Sequence, residues 1–277
     1  MKSIIVQTQI EWFVFRLYLK LLRRNFIKYA VPTTTVYLYS LFRISVPAKP
    51  AYFICRYIDD VADGDLELSK EYRDYNHFFS SLIEVCDGPK PGSTILEQLL
   101  NRAILSFPPH QHIEVRELFR EFICSMQKET ERRLSRQTFN SNEILALYDD
   151  TFGAVIKITC IGTGAVLSPE IISKLARLQG RIYAIDDLYD DYRVGLINIP
   201  KEILIQSEFE MIGENTVLKA WIEHEYRECQ AYAADLLSLK LPGKAQTLVN
   251  LGVRPIAKRI NRHLASLVER SESRLHY

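Results

Sequence analysis

The sequence predicts an all-α protein, a single domain of about ten helices that spans residues 1–277. Apolar residues recur at helical spacing through almost every long segment, and no segment alternates convincingly with the period of two that is typical of strands. Proline and glycine, only 11 of each, fall mainly in the gaps between these segments. No composition shift or long flexible linker divides the chain, so we expect one domain.

The helical periodicity gives a definite order of elements. It predicts helices at 8–28, 33–43, 48–64, 68–86, 93–106, 113–135, 141–166, 169–194, 201–207, 214–239 and 244–270. The segment Ser168-Pro169 is typical of a helix start, because a serine cap is followed by proline in the first turn.

The totals exclude some classes of protein. A formal net charge of +1 predicts no nucleic-acid partner. Five cysteines without close spacing predict reduced thiols in a cytoplasmic protein rather than a disulfide or zinc framework. Nothing in the composition indicates an oligomeric state.

Residues 1–30 contain a predicted amphipathic helix. Its apolar stretch is interrupted by Glu11, Arg16 and Lys20 and is too short to cross a membrane. Two interpretations stay open for this helix: it packs on the core, or it makes peripheral contact with a membrane through its basic face. The predicted location is accordingly cytoplasmic, with membrane association as the alternative. The basic face consists of Arg16, Lys20, Arg23 and Arg24.

A first acidic motif lies on an otherwise apolar helix. Asp59 and Asp63 are one turn apart, and Arg56 and Tyr52 lie near the same stripe. Asp60 is turned about 100° away from that stripe. Carboxylates at the edge of a buried helix are costly unless they are paired or bind a metal. The alternative is an ordinary solvated acidic face.

A second acidic motif, within the segment Tyr183 to Pro200, has four aspartates in six residues. In a helix Asp187 and Asp191 project together, and so do Asp186 and Asp190, one step round. Like charges at this spacing repel, so we expect a cation to hold them. Two such motifs on apolar helices favour magnesium, which prefers oxygen ligands and commonly bridges carboxylates to phosphates. Arg181 and Arg193 are candidate partners for the flanking pair.

These motifs carry a family resemblance that covers roughly residues 30 to 270. The segment Cys55-Arg-Tyr-Ile-Asp-Asp-Val-Ala-Asp63 resembles the first aspartate-rich motif of squalene/phytoene synthases, in which an arginine precedes Asp-Asp-x-x-Asp. The segment from Asp187 to Pro200 resembles their second motif in its spacing, through Gly195. The segment Tyr148-Asp-Asp-Thr-Phe-Gly153 stands where that family has its central tyrosine-containing helix.

The resemblance implies an α-helical isoprenoid synthase fold with a central cavity and two or three magnesium ions at its mouth. By position, the catalytic and metal-binding carboxylates would be Asp59, Asp63, Asp187 and Asp191, with Asp60 assisting. The residues implied or considered for diphosphate binding are Arg56, Arg193 and Lys157. Residues expected to line the substrate pocket are Tyr52, Tyr37, Phe53, Phe152 and Tyr183, although plain core packing is the alternative for each aromatic.

The second motif also departs from the family pattern. Tyr183 replaces an asparagine, Asp186 replaces an arginine, and Leu196 follows Gly195 where the family has arginine. Two arginines that would face diphosphate are therefore absent. Lys157, in an otherwise apolar run, either restores positive charge or extends to solvent.

Fewer basic groups suit the ionisation of one diphosphate rather than two. We therefore expect a class I terpene synthase or cyclase that releases diphosphate from farnesyl or geranylgeranyl diphosphate with magnesium. A head-to-head prenyl transferase of the squalene or phytoene type is the alternative, and a non-catalytic scaffold is a third hypothesis. Substrate length and product skeleton depend on the contour of the cavity.

Overall fold

The computed structural model describes residues 2–24, 46–88, 92–207 and 215–275. These residues form α-helices, one short 3-10 helix at Pro109–Gln111, and turns, with no strand among them. The prediction of an all-α protein is thus confirmed for the described chain. The α-helices are α1 (Lys2–Arg24), α2 (Ala48–Ala62), α3 (Tyr75–Asp87), α4 (Ile95–Leu105), α5 (His112–Ser135), α6 (Ser141–Thr163), α7 (Pro169–Asp186), α8 (Leu188–Val194), α9 (Lys201–Ser207), α10 (Thr216–Ser238) and α11 (Gly243–Leu275).

Most predicted helices have a counterpart, and the largest differences among the described residues concern three of them. The predicted helix 8–28 begins six residues earlier, at Lys2. The predicted helix 68–86 begins only at Tyr75, because Asp74 caps it: the Asp74 carboxylate accepts a hydrogen bond from the backbone N–H of His77 at 2.8 Å. The predicted helix 169–194 is two helices. The predicted helix 33–43 lies outside the described residues.

The chain divides into two compact units. One comprises Met1–Glu131 with Lys157–Gly164, and the other Arg132–Ile156 with Ala165–Tyr277. Helices α5 and α6 each contribute residues to both units. The first acidic motif belongs to the first unit and the second motif to the second. The expectation of a single domain around a central cavity stays a prediction.

The first unit is organised around α2. Phe53, Ile54 and Ile58 on this helix are fully buried, and α2 packs against α4. Helix α1 also contacts α2 and α4, where the Glu11 carboxylate accepts hydrogen bonds from Lys49 at 2.5 Å and Arg102 at 2.6 Å. None of the described helices is long and apolar enough to cross a membrane.

The second unit is organised around α7, which packs against α6, α10 and α11. Gly180 of α7 lies directly against the ring of Tyr148 of α6. Beside this contact, Arg177 donates hydrogen bonds to both carboxylate oxygens of Asp149, at 2.6 to 3.1 Å, and the Ser173 hydroxyl donates to the same carboxylate at 2.7 Å. The segment Tyr148-Asp149 therefore fixes the helix that leads into the second acidic motif.

The close contact at Gly180 predicts that a single added methyl group lowers the stability of the fold. A Cβ atom at Gly180 would lie 2.2 Å from Cγ of Tyr148, whereas a Cβ at Gly153 on α6 would meet nothing within 4 Å. We expect Gly180→Ala to lower the free energy of unfolding by about 1–3 kcal/mol through overpacking. The matched variant Gly153→Ala should raise it by about 0.5–1 kcal/mol through better helix propensity. Urea unfolding followed by circular dichroism measures both, and equal effects would contradict the packing.

Candidate functional site

The first motif lies at the C-terminal end of α2. The backbone N–H of Asp63 donates to the carbonyl of Asp59 at 2.9 Å, so the helical path continues through the motif. Both side chains are partly exposed, while their neighbours Val61 and Ala62 are fully buried. Two carboxylates therefore lie one turn apart at the rim of a buried helix, as predicted.

Arg56 links the carboxylates of this motif. Its Nη1 donates to Oδ2 of Asp59 at 2.6 Å, and its Nη2 pairs with Oδ1 of Asp60. Asp60 is only 2% exposed, in agreement with its predicted rotation away from the stripe. Arg56 thus compensates a buried charge and orients Asp59 at the same time. The roles of Arg56 in diphosphate binding and of Asp60 in metal binding stay predictions.

The second motif contains a helix break at Asp187, which the sequence did not predict. Asp187 follows the end of α7 and precedes α8, with φ −97° and ψ 5°. The bonds on both sides survive, since Asp187 N–H donates to Tyr183 O at 3.0 Å and Asp191 N–H donates to Asp187 O at 2.8 Å. Asp187 and Asp191 therefore keep the one-turn spacing on which the prediction depends. Both side chains are partly exposed.

A tight turn ends α8 directly after the aspartates. The N–H of Leu196 donates to Asp191 O at 2.9 Å, and that of Gly195 donates to Tyr192 O at 3.2 Å, which is the Schellman pattern. Gly195 has a φ of +97°, and a Cβ atom there would lie 2.8 Å from the carbonyl oxygen of Arg133. Only glycine satisfies both constraints. The glycine of the motif is thus a structural requirement of the turn.

Beyond the turn, the chain folds back to contact Asp191. The amide Nδ2 of Asn198 donates to Oδ2 of Asp191 at 2.8 Å. The Oδ1 of the same amide accepts from Arg132 Nη2 at 2.6 Å, and Arg132 Nη1 donates to Ile197 O at 3.2 Å. Arg132 is 1% exposed and Asn198 is also buried. Since Oδ1 is occupied by a guanidinium, the amide nitrogen is directed at Asp191.

The flanking aspartates have arginine partners. Asp190 pairs with Arg193 at 3.5 Å, and both side chains are highly exposed. Asp186 pairs with Arg259 of α11 rather than with Arg181, which instead pairs with Glu225 of α10. The candidate partner Arg193 is therefore observed and the candidate Arg181 is not. Diphosphate binding by Arg193 stays a prediction.

The predicted pocket residues have different environments. Phe53 is completely buried, and Tyr52 meets its ring edge-on at 5.3 Å. Phe152 stacks on Tyr183 with ring centroids 5.9 Å apart, and Tyr183 is partly open to solvent. Tyr37 lies outside the described residues. Phe53 packs as the core alternative describes, whereas Tyr52, Phe152 and Tyr183 keep surface that a ligand can contact.

Lys157 has a surface environment. Its ammonium lies 3.6 Å from a carboxylate oxygen of Glu121, and both side chains are exposed. The Lys157 side chain therefore extends from its apolar helix toward solvent, which is one of the two alternatives for this residue. Its contact with a diphosphate stays a prediction.

The donor set of each motif suits magnesium. Each motif offers two partly exposed carboxylates one turn apart, and such hard oxygen ligands are those that magnesium prefers. Within the described ranges, no group of three or more His, Cys, Asp or Glu side chains is placed to hold a metal ion. A magnesium site of the expected kind needs only one or two protein carboxylates, because phosphate oxygens and water complete the octahedron.

Sequence reasoning missed Asn198 and Arg132. One signal for Asn198 was present, since it is the single polar residue in the apolar run Leu196 to Ile199. Buried polar residues in such runs need specific partners. No local signal marks Arg132, whose partners lie more than sixty residues further along the chain.

Comparison of the chain with family models, with curated proteins and with solved structures found no significant match. The resemblance to squalene/phytoene synthases therefore depends on the sequence features alone: the two motifs with their flanking residues, the segment 148–153, the chain length and the all-helical order.

The pairing of Arg56 with buried Asp60 predicts a coupled effect on stability. Arg56→Met should destabilise the protein by about 3 kcal/mol, because Asp60 is left buried without its cation. Asp60→Asn in the same chain should recover much of the loss, since the neutral amide carries no uncompensated charge. A double-mutant cycle by urea unfolding measures the coupling. Additive effects of the two substitutions would contradict the buried pair.

Proposed function

We propose that this protein is a class I terpene synthase on a squalene/phytoene-synthase-like scaffold. It would ionise an allylic prenyl diphosphate, farnesyl or geranylgeranyl diphosphate, in the presence of magnesium. The observation that carries the proposal is the pair of motifs, each with two partly exposed aspartates one turn apart. In each motif an arginine or amide within the same unit holds at least one of the two carboxylates.

In this proposal each group has a defined role. Asp59, Asp63, Asp187 and Asp191 would hold magnesium, which supplies neutralisation of the diphosphate leaving group. Arg56 orients Asp59, and Asn198 orients Asp191. The partly exposed stacked rings Phe152 and Tyr183 present aromatic faces of the kind that stabilise a carbocation.

The environment of the second motif favours one diphosphate over two. Leu196, at the position where the family has an arginine, is almost completely buried. Asp186, at another such position, is engaged by Arg259. Neither position presents a cation to a second diphosphate. This supports cyclisation or elimination from one prenyl unit over head-to-head condensation.

Product analysis decides between the three hypotheses. The protein is incubated with geranyl, farnesyl and geranylgeranyl diphosphate, with and without magnesium, and diphosphate release and hydrocarbon mass are measured. A magnesium-dependent product with the carbon number of its substrate supports the terpene synthase. A product with twice that number, or a cyclopropyl diphosphate, identifies a head-to-head transferase. No diphosphate release under any condition supports a scaffold.

Neutralising one aspartate in either motif should remove activity. We expect Asp59→Asn or Asp187→Asn to lower the rate of diphosphate release roughly a hundredfold or more, since loss of a ligand exceeds the 10–100-fold cost of losing its supporting contact. Helix content by circular dichroism should be unchanged. Asp190→Asn is the matched control, because Asp190 is highly exposed and pairs with Arg193. Full activity of either motif variant would refute the two-motif model.

A variant of Asn198 tests the second motif by a measurement of magnesium affinity. Asn198→Leu keeps side-chain size but removes both the bond to Asp191 and the acceptor of Arg132. Magnesium affinity in the presence of inorganic diphosphate should therefore fall about 10–100-fold by calorimetry under conditions where the variant is folded. Excess magnesium should restore much of the rate. Ser173→Ala is the control, since it removes a donor to Asp149, a carboxylate outside both motifs, and should leave affinity unchanged. Equal affinities of Asn198→Leu and the unmodified protein would exclude this role.

A further inference from the structure

Helix α1 has two apolar faces, and within the described part of the chain only one of them is covered. The buried face consists of Ile10, Val14 and Leu17. On the other side, three large side chains are open to solvent: Trp12 at 59%, Phe15 at 42% and Leu19 at 37%. At 100° per residue these two sets lie on opposite sides of the helix. We name the second set the outer stripe. A core-packed helix needs no such stripe.

The orientation of α1 is fixed, so the outer stripe cannot turn inward. Glu11 is held by Lys49 and Arg102, and the ring of Phe13 packs against Tyr57 with centroids 5.6 Å apart. Burial alone would raise the pKa of Glu11, but the hydrogen bonds and charges of the two cations together lower it. Glu11 is therefore ionised at neutral pH and keeps these contacts.

The outer stripe has a basic border. Arg16 and Lys20 are exposed and lie beside the stripe, one turn from Trp12 and Arg16 respectively. Glu11 is the only acidic residue in the sequence of α1, which also contains Lys2, Arg23 and Arg24. Since Glu11 is engaged by two cations, α1 presents apolar and positively charged groups to solvent. This combination is complementary to an anionic lipid surface.

We propose that α1 binds the surface of an anionic lipid bilayer and lies in its plane, with the outer stripe among the acyl chains. Trp12 supplies an amphipathic ring of the type enriched at membrane interfaces. Arg16 and Lys20 meet lipid phosphates at the headgroup level. Docking of a second copy through the same face would bring its cations close to those of the first. The surface is independent of the terpene synthase proposal.

Trp12 reports its own environment. The chain has two tryptophans, so Trp221→Phe leaves Trp12 as the single tryptophan, which is excited selectively at wavelengths where the tyrosines do not absorb. The full-length variant is mixed with phosphatidylcholine vesicles, with or without phosphatidylserine. The emission should move to shorter wavelength and the protein should sediment with the vesicles only when phosphatidylserine is present. Raising the salt concentration should weaken this binding, because screening reduces attraction to the headgroups.

Two double variants test the apolar and the electrostatic contributions to vesicle binding separately. Phe15→Ser with Leu19→Ser should remove apolar contact, and Arg16→Glu with Lys20→Glu should remove attraction to phosphate. We expect each to weaken binding to phosphatidylserine vesicles roughly tenfold or more. The buried face of α1 is unchanged in both, so the unfolding midpoint should be nearly unchanged. The matched control is Ile113→Ser with Leu134→Ser, two exposed apolar residues of α5, which should leave vesicle binding unchanged.

Three results would overturn the proposal. Anionic vesicles that leave the Trp12 emission unchanged exclude insertion. A short-wavelength emission of Trp12 in solution without vesicles shows that another part of the chain covers the outer stripe. An emission that depends on protein concentration without vesicles shows that a second copy covers it.

Discussion

The second acidic motif depends on one buried guanidinium. Arg132 is almost inaccessible to solvent, and its guanidinium carbon lies 5.0 Å from the centroid of the Phe139 ring. A buried cation is costly unless its donors are satisfied, and Ile197 O and the amide of Asn198 accept two of its hydrogen bonds. That requirement sets the path of the chain after Gly195. It also orients the amide that binds Asp191.

Contacts within the chain also change the interpretation of the four clustered aspartates of the second motif. Repulsion among four carboxylates predicts cations that hold them, magnesium for Asp187 and Asp191 and an arginine of the chain for the flanking pair. The chain itself supplies partners: Arg259 for Asp186, Arg193 for Asp190 and Asn198 for Asp191. The motif is thus compatible with a folded, metal-free state. The one-turn spacing of the partly exposed Asp187 and Asp191, rather than the density of acidic charge, favours a metal site.

Patterns between residues close in sequence predicted the helices and the local spacing of the aspartates. Helical periodicity identified most of the helices, and helix geometry predicted that Asp60 is turned away from the stripe of Asp59 and Asp63, where the structure buries it. The break at Asp187 was not predictable, because the residues on both sides favour one helix. The same limit applies to Arg132 and Arg259, since both act through contacts between residues far apart in sequence. Arrangement of the two motifs relative to each other is a further non-local property.

The turn at Gly195 has a consequence for recognising relatives of this chain. The left-handed backbone of Gly195 and the nearby Arg133 carbonyl restrict that position to glycine. The hydrogen bond from Asn198 to Asp191 also requires that Asn198 follow Gly195 by three residues. A distant homologue that preserves the turn should therefore keep Asp191, Gly195 and Asn198 as a set, together with an arginine in place of Arg132. Such a four-position signature retains meaning where overall identity has decayed. It offers a search criterion based on stereochemistry rather than on total similarity.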